Sequence, residues 1–300
     1  MNWKKLGLLF NVNRNNFSMH SHAALPIAEH IVDDIFKIYF TSRDIDNKSY
    51  INFIIIDIKE PFHILEISDK PVISPGNLGE FDDSGCMGSW IVDYKNKKYF
   101  YYIGWNLGVT VPFRNSIGLA MAEKGESFNR LFNGPILDRS KNEPHFVASS
   151  CVIIDKNIWK MWYLSCTSWE LKNGKPKHNY HIKYAESNDG ISWVRDGSVA
   201  IDFKNNSEYA ISRPCVIKEK DIWKMWYSYR GDNYLIGYAE SYDGKKWIRK
   251  DDEVGISLSK SGWDSEMIEY PFVFKHKNNT YMLYNGNEFG ASGFGIAILD

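Results

Sequence analysis

Apolar positions along this 300-residue chain fall in short blocks that recur at a spacing of about 60 residues. The string IWKMWY occupies 158–163 and returns unchanged at 222–227. Weaker copies of the same block start at 36 (FKIYFTS), 98 (KYFYYIGW) and 280 (TYMLYNG). Each block is apolar on both faces, so it predicts a strand that must be covered on both sides. A V/I/F-rich strand precedes it, as in SSCVIIDKN (149–157) and RPCVIKEKD (213–221). A third strand follows, carrying a small-residue motif (GLAMAE, IKYAES, IGYAES, GIAILD). Asn188-Asp189-Gly190 and Tyr242-Asp243-Gly244 then supply Asp-Gly turns suited to tight hairpins, and a Trp-centred fourth strand completes the unit. No amphipathic segment between the strands is long enough for a crossover helix.

A repeat of this length whose strands need cover on two sides predicts stacked four-stranded blades. The expected fold is all-β: a single five-bladed β-propeller over residues 1–300, with blades at about 20–75, 80–132, 143–197, 207–252 and 263–300. The last copy ends at GFGIAILD without a fourth strand, and MNWKKLG resembles SWVRDG and KWIRKD. Residues 2–9 are therefore expected to close the last blade.

Composition changes this picture little. With 36 basic and 37 acidic residues the net charge is −1, which points away from nucleic acid or an anionic membrane as partner. No apolar stretch approaches the ~20 residues of a membrane helix. The apolar run near the N-terminus is too short for a secretory signal, so a cytoplasmic location is expected. Cys151 and Cys215 share one slot of the repeat; with Cys86 and Cys166 they read as reduced core thiols. Aromatic residues make up 15% of the chain, and such rings both pack strands and stack on sugar faces.

The segments leading into the innermost strands differ as strongly as the blade cores agree. They are HSHAALP, DDSGCMG, HFVASS, YAISRP and EMIEYP, and they bring His20, His22, Asp82, Asp83, His145, Glu208, Arg213, Glu266 and Glu269 toward one mouth of the channel. Titratable groups of both signs delivered from separate blades suit acid/base work on a polar substrate. Glycosidic cleavage needs one carboxyl group as acid and another as base or nucleophile. Asp82 or Asp83 with Glu269, or with Glu208, would form such a pair across the channel. Each acid could equally cap a turn or pair with Arg213, whose planar fork also suits a substrate carboxylate. Trp105, Asn106, Trp169, Asn285 and Asn287 follow aromatic strands and are candidates for sugar contacts. No metal site or cofactor is expected, because His20/His22 and His178/His181 lack acidic or Cys partners at ligand spacing.

The repeat, the SxDGxxW turns and the strings SHAALP (21–26), EFDDSG (80–85), YYIGWN (101–106), GWDSEMIEYP (262–271) and YNGNEFGASGFG (284–295) resemble the five-bladed glycosidase propellers, the group of glycoside hydrolase families 43, 32, 62, 117 and 130. Within that group the sequence looks like glycosidase-like proteins of bacterial surface-polysaccharide gene clusters. The resemblance implies a carbohydrate substrate and cleavage or transfer of a glycosidic bond. Family 43 places a catalytic Asp directly before the Pro of the first blade, where this chain has Leu25; Glu269-Tyr270-Pro271 matches the family's Glu-x-Pro form in another blade. Asp83, with Asp82 second, is then the expected base and Glu269 the acid. His22, Glu208, Arg213, Asp264 and Glu266 would orient the sugar. Family 130 uses phosphate held by basic residues, a role open to Arg43, Arg114, Arg213 and Arg230. The alternatives are phosphorolysis or transfer on the same fold, and sugar binding without turnover.

Overall fold

The computed structural model describes residues 1–12, 16–123 and 125–300. It is built from strands in sequence order. After β1 (Trp3–Phe10), a first unit comprises β2 (Ser21–Val32), β3 (Ile35–Arg43), β4 (Ser49–Asp57) and β5 (Ile64–Ile67). A second comprises β6 (Gly85–Tyr94), β7 (Lys97–Leu107), β8 (Phe113–Glu123) and β9 (Asn129–Arg130). The third holds β10 (Val147–Asp155), β11 (Ile158–Lys172), β12 (Lys175–Ser187) and β13 (Val199–Ile201). The fourth holds β14 (Ala210–Glu219), β15 (Ile222–Arg230), β16 (Tyr234–Ser241) and β17 (Ile248–Arg249). In the fifth, β18 (Glu269–His276), β19 (Asn279–Asn285) and β20 (Phe294–Leu299) form a sheet whose remaining strand is β1, antiparallel to β20. Among the described residues, neighbouring units touch in the sheet ladder only through the single parallel pairs Ser49↔Gly85 and Tyr180↔Ala210.

The duplicated hexapeptide forms the second strands β11 and β15, and their rings are sandwiched between units. Trp159, Trp162, Trp223 and Trp226 are all buried. Trp162 packs on Trp223 of the next unit at 5.5 Å between ring centroids and donates its indole N–H to the Gly244 carbonyl at 2.8 Å. Tyr101 makes the matching bond to the Gly190 carbonyl at 2.7 Å. The Asp-Gly turns that close one unit are thus acceptors for the aromatic strand of the unit before it. Gly190 and Gly244 sit at φ 74° and 76°, and a side chain at Gly190 would meet the Trp159 ring at 2.7 Å.

The Trp-centred segment is not the fourth strand of unit three. That place is taken by Val199–Ile201, and the preceding Val194 makes one isolated bridge to Glu186. Trp193 instead lies edge-on to Tyr101 of the second unit, so its ring fills the seam between units and leaves the ladder to later residues. All four cysteines are buried and free.

The inner strands share a kink. Leu25, Ser149, Arg213 and Tyr270 all have positive φ, between 41° and 56°, and each stands immediately before Pro26, Ser150, Pro214 or Pro271. Every one falls within an irregularity of the ladder to the second strand. Left-handed backbone at four non-glycine residues stores strain of a kind that clusters at ligand sites.

Candidate functional site

A cavity of about 490 Å³ opens where these kinks converge, and its lining comes from every unit. Leu25, Arg43 and Ser49 belong to the first, Trp105 and Phe113 to the second, Phe146 and His178 to the third, Arg230 and Tyr234 to the fourth, Tyr270 and Phe289 to the fifth. Two other hollows, lined by Glu29, Lys37 and Asp93 or by Lys172, Asp202 and Glu208, each draw on neighbouring units only. Convergence from all units marks the first as the candidate site.

The acids proposed from sequence part company here. Asp82 is fully buried and receives Arg130 through Nε at 3.0 Å and Nη2 at 2.8 Å, with the Tyr102 hydroxyl at 3.1 Å. Asp264 receives Lys5 Nζ at 2.7 Å and the Tyr284 hydroxyl at 3.0 Å. Glu208 is gripped by both ends of Arg249 at 2.7 and 3.0 Å, while Tyr227 donates to Asp251 on the same arginine. Glu143 repeats the scheme with Arg195 at 2.9 Å and the Tyr163 hydroxyl at 3.0 Å. Tyr102, Tyr163, Tyr227 and Tyr284 occupy one position of the repeat. Units two to five therefore each carry a buried acid–tyrosine–base latch, whereas the first has Phe40 at that position. Burial alone would raise the Glu143 carboxyl, but Ser165, Lys183 and Arg195 together hold it below the usual range. Asp82, Glu208 and Asp264 do not line the cavity.

Asp83 is also engaged away from it, accepting Gly79 N–H at 2.9 Å, Ser84 Oγ at 3.0 Å and Asn106 Nδ2 at 2.7 Å. Asn106 and Asp83 thus tie the loop before β6. Asn287 holds Glu266 N–H at 2.8 Å and the Gly262 carbonyl, and Glu266 itself is exposed. Asn285 is buried and clamps unit five to unit one through Leu25 N–H at 2.9 Å and the Ala23 carbonyl at 2.7 Å.

Arg213 is not a carboxylate clamp. Its guanidinium, 1% exposed, donates to the carbonyls of Gly88, Ser89 and Pro26 at 3.2, 2.7 and 3.0 Å. It thereby ties the fourth unit to the first two, and burial lowers its pKa to about 10.

Glu269 differs from every other buried acid. It is fully buried, and neither carboxyl oxygen has a hydrogen-bond partner. Burial drives its pKa well above the carboxylate range; the Arg230 charge and the nearby Tyr270 hydroxyl, which lies outside hydrogen-bond geometry, offset this only in part. Glu269 acts electrostatically on Tyr180, Tyr234 and Tyr270, all of which line the cavity, and the Tyr180 and Tyr234 hydroxyls bond to each other. The carboxyl thus sits behind a tyrosine wall, with burial favouring its protonated form.

Arg43, Trp105 and Arg230 do line the cavity. Trp105 is anchored through Nε1 to Ser49 Oγ at 2.7 Å. Trp169 packs on the lining residues Phe113, Phe146 and His178 at centroid distances of 5.4–5.7 Å. His22 is half-buried beside Arg43, with its pKa lowered to about 4 by burial and then by that charge. Sequence reasoning passed over the lining residues Tyr180, Tyr234, Tyr270 and Phe289. The repeated pre-proline slot would have pointed to Tyr270; nothing local marks the others.

No family model matches the sequence. It is 40% identical over 300 residues, covering 100% of both proteins, to the Uncharacterized protein MT1551 of Mycobacterium tuberculosis (strain CDC 1551 / Oshkosh). It is 39% identical over the same span to Uncharacterized protein Rv1502 of Mycobacterium tuberculosis (strain ATCC 25618 / H37Rv). Among solved structures, a glycoside hydrolase superposes with a TM-score of 0.74 at 18% identity, covering 98% of this chain and 90% of that one. A thermostable family-43 glycoside hydrolase gives 0.69 at 18% identity over 95% and 91% of the two chains. The GH32 β-fructofuranosidase BmSUC1 of Bombyx mori gives 0.63 at 14% identity over 94% and 62%. This chain is thus a member of the family of these two mycobacterial proteins, and its fold is that of the glycosidase propellers.

Proposed function

We propose that the protein is a carbohydrate-active enzyme of glycosidase type, acting on a glycosidic bond in the cavity with Glu269 as the acid. In this reading the units are the five blades of one propeller over residues 1–300, closed by the N-terminal strand, and the substrate is an intracellular or cell-surface-polysaccharide-related sugar. One observation carries it: a carboxyl group buried without a partner directly behind a cavity wall, in a fold shared with glycoside hydrolases. A neutral carboxyl at ordinary pH is the form that can protonate a leaving oxygen. Tyr270, the next residue and itself in the wall, must shift for Glu269 to reach a bound glycoside.

The latched acids Asp82, Glu208 and Asp264 serve the blades in this reading, and Asp83 serves its loop. Among the described residues no aspartate or glutamate lines the cavity, which favours transfer or phosphorolysis over hydrolysis by a carboxylate pair. The test is turnover of aryl glycosides with and without phosphate, by wild type and Glu269→Gln. Loss of turnover in a folded variant supports the assignment; retained turnover removes Glu269 from the chemistry.

A further inference from the structure

Arg43 ends β3 in the first unit and Arg230 ends β15 in the fourth, so the two reach the cavity from units that are not neighbours. Both are half-buried. Neither guanidinium has a carboxylate partner among the described residues. Arg230 makes one long contact to the Asp232 carbonyl at 3.5 Å and lies over the rings of Tyr234 and Phe289, both at 5.2 Å. The ring faces orient its fork without neutralising it. Both arginines act electrostatically on Tyr270, which places both near the tyrosine that screens Glu269.

The rest of the lining supplies no negative charge. His22 stands by Arg43 and His178 by Arg230, and both are held neutral down to about pH 4, by burial first and the neighbouring arginine next. A mostly apolar cavity with two unpaired guanidinium groups is an unfavourable arrangement for the empty protein. An oxyanion spanning them would relieve it, and an arginine fork matches carboxylate or phosphate oxygens in bidentate fashion. Trp105, Phe113 and Phe146 offer ring faces to the remainder of the ligand.

We propose that the ligand of this cavity is an acidic sugar, a glycoside carrying a carboxylate or phosphate group whose oxyanion is held between Arg43 and Arg230. The proposal rests on the reading of the cavity as a carbohydrate site and adds the class of sugar. The oxyanion lies next to Tyr270, so its arrival is also positioned to displace that ring from Glu269.

The test is binding rather than turnover, so it can fail or succeed independently of the role given to Glu269. Isothermal titration at low salt would use methyl gluco-, galacto- and mannopyranosides, the matching uronates and 1-phosphates, and inorganic phosphate. The expected result is an affinity at least about tenfold higher for one acidic form than for its neutral counterpart, falling as salt is raised. Arg43→Gln and Arg230→Gln should each remove most of that preference, weakening the acidic form by a much larger factor than the neutral one. If either Gln variant melts early, the Lys variant at that position should keep part of the preference, because it keeps the charge and loses the fork. Competition by inorganic phosphate would identify a free phosphate as one source of the oxyanion, and its absence would place the anion on the sugar. Equal affinity for acidic and neutral forms, equal loss of both in the variants, or no acidic ligand bound at millimolar concentration would overturn the proposal.

Discussion

Asp82 and Glu269 are both fully buried carboxyl groups, each near an inner strand, yet their surroundings are opposite. Asp82 meets a two-pronged arginine and a tyrosine hydroxyl; Glu269 meets no donor at all. A charge taken out of water is tolerable when it is paired and hydrogen-bonded, and otherwise the group neutralises. The same residue class thus holds the fold in one place and lies without a hydrogen-bond partner in the other. Burial alone does not distinguish the two roles; the presence or absence of partners does.

The largest expected effect breaks the paired side. Arg130→Met leaves Asp82 without its counter-charge and should cost about 3–5 kcal/mol in chemical denaturation. Adding Asp82→Leu should recover much of that loss, since a buried pair replaced by apolar side chains is often tolerated. An unchanged denaturation midpoint in the single variant would show that Asp82 does not latch its unit.

On the unpaired side, Glu269→Gln should lower kcat by ~10²–10⁴-fold, the usual range for a general acid. It should not lower the melting temperature near neutral pH, because no hydrogen bond is lost. The pH dependence sharpens this contrast. The folded pKa of Glu269 lies above its unfolded value, so this group favours the folded state fully at low pH and that contribution is lost as pH rises through the folded pKa. Thermal melts on the alkaline side should therefore show Glu269→Gln as the more stable protein. The Glu143 pKa is depressed, so its contribution is lost instead as pH falls.

A smaller effect separates the latched units from the first. Tyr284→Phe removes a hydroxyl donor to Asp264 and should cost about 1–2 kcal/mol. Phe40→Tyr in the first unit puts a hydroxyl where no such acid is found among the described residues, and should destabilise as well. Stabilisation by Phe40→Tyr would mean that the first unit has a partner for it.

Much of the architecture was legible because it is repetitive. The hexapeptide, the Asp-Gly turns and the shared slot of Cys151 and Cys215 are local patterns that burial on two faces imposes on every unit. In unit three the Trp-centred segment is not the fourth strand, because Trp193 serves a seam between units, and no local pattern reports which neighbour a ring will meet. The site was less legible. Arg43, Trp105 and Arg230 line the cavity, and Glu269 lies just behind its wall. Asp82, Glu208 and Asp264 looked equally suitable, and nothing along the sequence showed that Arg130, Arg249 and Lys5 would take them up. Those bases are 48, 41 and 259 residues away.

What the sequence determined by itself is the unit: strand, turn and aromatic core follow from the alternation of side chains and the demands of a doubly covered strand. Tertiary structure decided which ionisable groups found partners. That outcome depends on contacts between distant segments, and in a low-dielectric interior a few ångströms separate a structural ion pair from an unpaired acid or arginine.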